Sequence, residues 1–190
     1  MSKDRLATFT DAVLAIIMTI LVLDLEVPEP LSLEGFWAMR ENYFAYTISF
    51  FWLGAMWVNL HNEWDQVEKI SRKTVWATLI MLFFSSVFPY STSIVATDFS
   101  NSFAQVFYGI IVLLVTFSNM ATYHTLIKPN SNNPTFIARM NHRGHWASYD
   151  IVLKVLGLLL AVTVFPPAMI FAVVLTLLVF VIPNQLKEPE

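Results

Sequence analysis

One carboxylate stands where carboxylates are rare. Asp11 lies within the chain's first apolar run, residues 6–27, about one and a half helical turns from its start. Exposing an ionisable side chain to lipid is costly, so such a residue inside a spanning-length segment is a functional candidate by default. Around it lie Arg5, Thr8, Phe9, Thr10 and Thr19, and two further acids, Asp24 and Glu26, follow the run. Charges and hydroxyls in a low-dielectric segment suit proton relay or ion passage. Covalent catalysis has no support: the chain holds no Cys and no Gly-x-Ser-x-Gly, His-Glu-x-x-His or phosphate-loop motif. No enzyme activity is expected. A local role for Asp11 also fits, because Thr8 and Asp11 match a capping-box spacing at a helix start.

The elements that hold these residues follow from composition. Hydrophobic residues make up 56% of the 190, charged residues 13%, and mean hydropathy is +0.60. A soluble domain carries roughly a quarter charged residues; here the charge is too sparse to cover a globule, and lipid is the expected solvent. The absence of Cys excludes disulfides and thiolate metal sites. One all-α domain over 1–190 is expected. No signal peptide is expected either, since Asp11 interrupts the apolar run after Lys3 and Arg5 and no cleavage site precedes the acidic segment Asp24–Glu34.

A bilayer core of about 30 Å takes roughly 20 apolar residues of helix. Six spans meet this: 6–27, 36–60, 74–97, 102–127, 148–165 and 167–186. The last two form one apolar stretch interrupted at Pro166-Pro167, which predicts a tight turn, or else a kinked fifth span. Lys3, Arg5, Lys69, Arg72, Lys73, Lys128, Arg139, Arg143 and Lys187 fall on one side of this alternation, and Arg40 on the other. The positive-inside rule then puts both termini in the cytoplasm. Trp37, Tyr43 and Tyr90 fall near outer ends and Trp64, Trp76, Trp146 and Tyr149 near inner ends, as interfacial belts do.

At 100° per residue, Phe9, Ala12, Ile16, Ile20, Leu23 and Val27 share one line of the first helix, and Asp11 points away from it toward neighbouring helices. Helix packing and a pore lining both produce such a stripe. Asp24 and Glu26 beyond its outer end would concentrate cations at an outer vestibule.

Arg5-x-x-x-Phe9-Thr10-Asp11, followed by Ala12, Ala15-Ile16 and Thr19-Ile20, resembles the Arg-x-x-x-Phe-Ser-Asp signature of the transmembrane protein 175 family of endosomal and lysosomal potassium channels, and in particular its bacterial members. Thr10 replaces the signature's Ser and keeps the hydroxyl. Gly54, Trp57 and His61 at the end of the second span, and Phe88 to Ser93 in the third, agree with it. The resemblance implies a homotetramer of six-helix subunits in the bacterial inner membrane, with first helices around a central pore. It implies passive potassium flux with no cofactor beyond the permeant ion, and lipid and sister subunits rather than nucleic acid as partners. By position, Ile16 would be the hydrophobic constriction, with Ile20 and Leu23 outward of it, and Thr19 would bear on potassium preference.

Arg5 and Asp11 are six residues apart, about 120° around a helix, so a bridge through His61 on the second span, with Trp64 one turn on, is expected to join them as a structural or gating network. The alternative function is a proton or cation transporter using Asp11 and His61 as a relay; the missing internal repeat disfavours it. His142 and His145 lack neighbouring ligands, and Gly144 suggests a solvated loop. Lys154 is expected to snorkel or to pair with Asp150 four residues before it.

Overall fold

The computed structural model describes residues 2–181, and the side chains of all of these except 141–143, 145, 180 and 181. The described residues form helices α1 (Lys3–Leu23), α2 (Leu33–Ala38), α3 (Arg40–Gln66), α4 (Arg72–Thr97), α5 (Ser102–Ile127), α6 (Pro134–Thr163) and α7 (Ala168–Thr176), the last continuing as a π-helical turn over Leu177–Val181. There is no strand among them. Lipid permits this economy, since a helix satisfies its own backbone where water is absent. Hydroxyls in the interior do the same locally: Thr10, Thr78, Ser85, Thr92 and Thr122 each donate to the carbonyl four residues earlier.

Long helices alternate in direction. The start of α4 meets the end of α5 through Thr125 Oγ1 and Thr74 Oγ1, 3.1 Å apart. Ser102, opening α5, donates to Ala161 O near the end of α6. The core lies among α3, α4 and α5, where Trp52 stacks near Phe88 (4.9 Å between centroids) and Phe88 near Tyr108 (5.4 Å). A buried hydroxyl triad lies in the same core: Thr92 Oγ1 and Ser49 Oγ are 2.9 Å apart, and Ser49 and Tyr108 share a bond of 3.3 Å.

Among the described residues four segments are long and apolar enough to cross a membrane: α1, α4, α5 and Trp146–Thr163 of α6. The chain is thus a multi-pass membrane protein. The other two expected spans differ from this standard. α3 has 27 residues but a more polar sequence, including Ser49, Asn59, His61 and Glu63; the apolar stretch Ala168–Val179 is shorter than a full crossing. The expected span 167–186 runs past the described residues.

Several boundaries differ from the expected ones: α1 begins at Lys3 rather than 6 and α3 runs to Gln66 rather than 60. The single helix expected over 36–60 is two, parted at Met39, with Ser32 Oγ capping α2 at Gly35 N. α1 stops at Leu23 with Asp24 as its C-cap rather than at 27; Pro28 accounts for the non-helical backbone at Val27 only. α6 begins at Pro134, well before residue 148, so the loop expected around Gly144 is helical. Asn133 Oδ1 caps it by accepting from Phe136 N at 3.0 Å, and Phe136 and Met140 are buried. Burial and a proline at the first position outweigh the roughly 1 kcal/mol that glycine costs inside a helix. The break expected at Pro166-Pro167 is present as a turn over 164–167.

Candidate functional site

Ser2 caps α1: its Oγ accepts from Arg5 N at 3.4 Å. The helix therefore starts ahead of Thr8, whose hydroxyl donates to Asp4 O, and the capping box expected between Thr8 and Asp11 does not form. Leu6, Thr10, Leu14, Ile17 and Leu21 form the buried face of α1. This spacing of four, four, three and four is a helical stripe, and it packs α1 on α3 and α4. The opposite face has no neighbour among the described residues. Phe9, Ile16, Ile20 and Leu23 are 48%, 60%, 38% and 79% exposed, and Ala12, Ala15 and Thr19 lie exposed among them. The branched apolar stripe therefore faces out of the subunit. Val27 is exposed as well, beyond the helix end.

Thr19 Oγ1 donates to Ile16 O at 2.8 Å, which commits its proton to the helix and leaves its lone pairs outward as acceptors. Asp24 caps the C-terminus of α1, and it and Glu26 are exposed. A carboxylate at the negative end of a helix dipole is unfavourable for the helix. It adds instead to a local negative potential.

The polar residues near the other end of α1 meet differently from the expected bridge. Asp11 Oδ1 accepts from Trp57 Nε1 of α3 at 2.9 Å. Trp57 stacks on His61, with 5.6 Å between centroids, and His61 Nε2 lies 4.0 Å from Asp65 Oδ2. His61 is thus one step removed from Asp11, because Trp57, one turn earlier on α3, is level with the carboxylate. Arg5 is exposed and forms no ion pair among the described residues. Thr10 is fully buried and bonds Leu6 O at 2.8 Å. Trp64 is 5% exposed, its Nε1 has no hydrogen-bond partner among the described residues, and with Asp4, Asp11, His61 and Asp65 it borders a recess at the start of α1. No group of three His, Asp or Glu placed to hold a metal occurs among the described residues.

Two groups outside the expected site also matter. Of its two expected arrangements Lys154 takes the pairing rather than the snorkel: it is 2% exposed, donates to Asp150 Oδ2 at 2.6 Å and to Thr116 Oγ1 at 3.1 Å, and sits 5.3 Å from the Trp52 ring centroid. A sequence signal existed, since Gly157 and Ala161 share its helix face and small residues mark a packed face. Trp57 was visible in the sequence only as part of the resemblance at the end of the second span, with nothing to mark it as the donor to Asp11.

Residues 5–89 match the family described as "Endosomal/lysosomal potassium channel TMEM175". A protein named as a potassium channel from Chryseobacterium sp. (strain P1-3) is 31% identical over 158 residues, covering 83% of this chain and 82% of that protein. The chain belongs to the TMEM175 family. A second protein named as a potassium channel, from Streptomyces collinus (strain DSM 40733 / Tue 365), is 29% identical over 132 residues, 65% of this chain and 64% of its own length. The crystal structure of a lysosomal potassium-selective channel TMEM175 homolog from Chamaesiphon minutus superposes with a TM-score of 0.81 over 97% of this chain and 98% of that one, at 18% identity. At that identity the likeness shows a shared fold. The TMEM175 family is described as a channel family rather than an enzyme family.

Proposed function

We propose that the chain is one subunit of a homotetrameric potassium-permeable channel in a bacterial inner membrane. Six crossings per subunit, α3 and the α7 segment included, put both termini in the cytoplasm. The α1 helices line the pore, and four Ile16 side chains form its constriction. The observation that carries this reading is the outward apolar face of α1: Ile16 is 60% exposed while Leu14 and Ile17 beside it are buried. A ring of such side chains dewets a narrow pore and makes a passing ion shed water. Potassium releases its hydration shell more readily than sodium, so the ring favours it. Thr19, one turn outward, offers hydroxyl lone pairs to the partly dehydrated ion, and Ile20 and Leu23 continue the lining. Asp24 and Glu26, with the negative end of α1, gather cations at the outer mouth.

Asp11, held by Trp57, fixes α1 against α3; Arg5, Phe9, Thr10, His61 and Trp64 shape the inner end. The transporter alternative needs a proton relay from Asp11 to His61. Trp57 intervenes, and an indole N–H donates without titrating, so passive flux is the better reading. The test is potassium and sodium flux from liposomes carrying wild-type or Ile16→Asn protein. The variant is expected to conduct faster, by roughly tenfold for about 1.4 kcal/mol of barrier removed, and to discriminate less. Unchanged flux and unchanged selectivity would remove Ile16 from the pore.

A further inference from the structure

The exposed face of α4 is ordered along its length in a way that core packing does not require. Arg72 and Lys73 open the helix, both exposed and neither in an ion pair among the described residues. Trp76 follows four residues after Arg72 and is 68% exposed. Leu79, Ile80 and Phe83 continue the face at 37%, 51% and 63%. Residues three and four apart share a helix face, so two cations, an indole and an apolar run succeed one another along one stripe.

Two more cations are brought to the same end by a buried side chain. Asn130 is 4% exposed, and its Oδ1 accepts from Glu68 N and Lys69 N, both at 3.0 Å. Its Nδ2 donates to Lys69 O at 2.9 Å and to Leu126 O at 2.8 Å. Every hydrogen-bonding atom of the amide is used to clamp the α3–α4 connection onto the end of α5. The clamp sets Lys69 beside the start of α4 on one side, and Lys128, two residues before Asn130, on the other. Both are exposed and free of ion pairs among the described residues. Glu68, also exposed, is the acid in this connection.

We propose that Lys69, Arg72, Lys73 and Lys128 form a docking site for the phosphate headgroup of an anionic phospholipid, whose glycerol region meets Trp76 and whose acyl chain lies along Leu79, Ile80 and Phe83. The sequence of chemistries matches the depth profile of a leaflet: charge at the headgroup, indole at the interface, hydrocarbon below. A soluble phosphate would engage the cations and have no use for the apolar ladder. The site depends on the chain spanning a membrane and is independent of where the pore runs, so the proposed conduction path can fail without it.

The experiment is native mass spectrometry of the purified protein with phosphatidylglycerol or phosphatidylcholine of matched acyl chains. Wild type is compared with K69Q/R72Q/K73Q/K128Q and, separately, with W76A. Wild type is expected to retain phosphatidylglycerol at least roughly tenfold better than phosphatidylcholine, as basic side chains near anionic headgroups predict. The quadruple variant should lose that preference while keeping its helical content and assembly mass. W76A should weaken retention of both lipids, and millimolar inorganic phosphate should leave bound phosphatidylglycerol in place. Equal retention of the two lipids by wild type would overturn the proposal, as would an unchanged preference in the quadruple variant or displacement by inorganic phosphate. A changed assembly mass would also overturn it, by assigning the surface to contact with a second copy of the chain.

Discussion

Four ionisable groups in and around the spanning helices illustrate how the same cost is met in different ways. Asp11 is only partly buried and is satisfied by one indole donor. Asp24 is left to solvent at a helix end. Lys154 and Asp150 neutralise one another in the interior, with Thr116 and the face of Trp52 completing the lysine's surroundings. The pair joins α6 to α5 and α3. Removing one member leaves the other charge buried and unpaired, a loss of about 3–5 kcal/mol in comparable sites. Lys154→Met should therefore lower the thermal midpoint of the purified protein sharply, whereas Lys154→Met with Asp150→Leu should recover most of the loss. A double variant as unstable as the single one would mean that the pair's other contacts, not its charges, hold the helices. The sequence made the Asp150–Lys154 spacing visible; its inward direction depended on which face α5 covers. Asp11 was legible as a buried-segment carboxylate, while its partner was not, because two residues on α3 one turn apart are equivalent candidates until the two helices are set in register.

Helices were legible to the extent that their ends were locally encoded. Asn101 caps α5 with its own side chain at the expected start, and Pro166-Pro167 closes the α6 stretch; Ser2 and Asn133 cap α1 and α6 ahead of the starts that apolar run length suggested. The extension of α6 back to Pro134 was not legible, since it depends on Phe136 and Met140 finding partners in the core. Contacts between helices rest on small residues. A methyl added at Gly157 would come within 2.4 Å of Ala172 Cβ and 3.2 Å of Ala168 O, so α6 and α7 would have to separate. At Gly54, between α3 and α1, it would meet only the flexible end of Met18 at 3.3 Å. Gly157→Ala is expected to destabilise by about 1–3 kcal/mol through overpacking, and Gly54→Ala by much less. Thermal midpoints of the two variants in one detergent check this; equal shifts would show that the α6–α7 contact is not rigid.

On the scale of the whole molecule, the chain makes a fold whose first helix uses half its surface internally. Leu6, Leu14, Ile17 and Leu21 are almost wholly buried, and Phe9, Ile16, Ile20 and Leu23 are left over. The all-helical class and the membrane setting followed from composition and from apolar run lengths. The outward turn of the stripe did not, because periodicity marks two faces of a helix without saying which one the subunit covers. The absence of cysteine makes the decisive measurement clean. Ile16→Cys carries a single thiol, and its potassium flux in liposomes can be followed before and after a thiol-specific, positively charged reagent, with labelling confirmed by mass. If four α1 helices surround the ion path, the labelled protein stops conducting, while the wild type, which has no thiol, is unaffected by the reagent. Full labelling at position 16 with undiminished potassium flux would contradict the account.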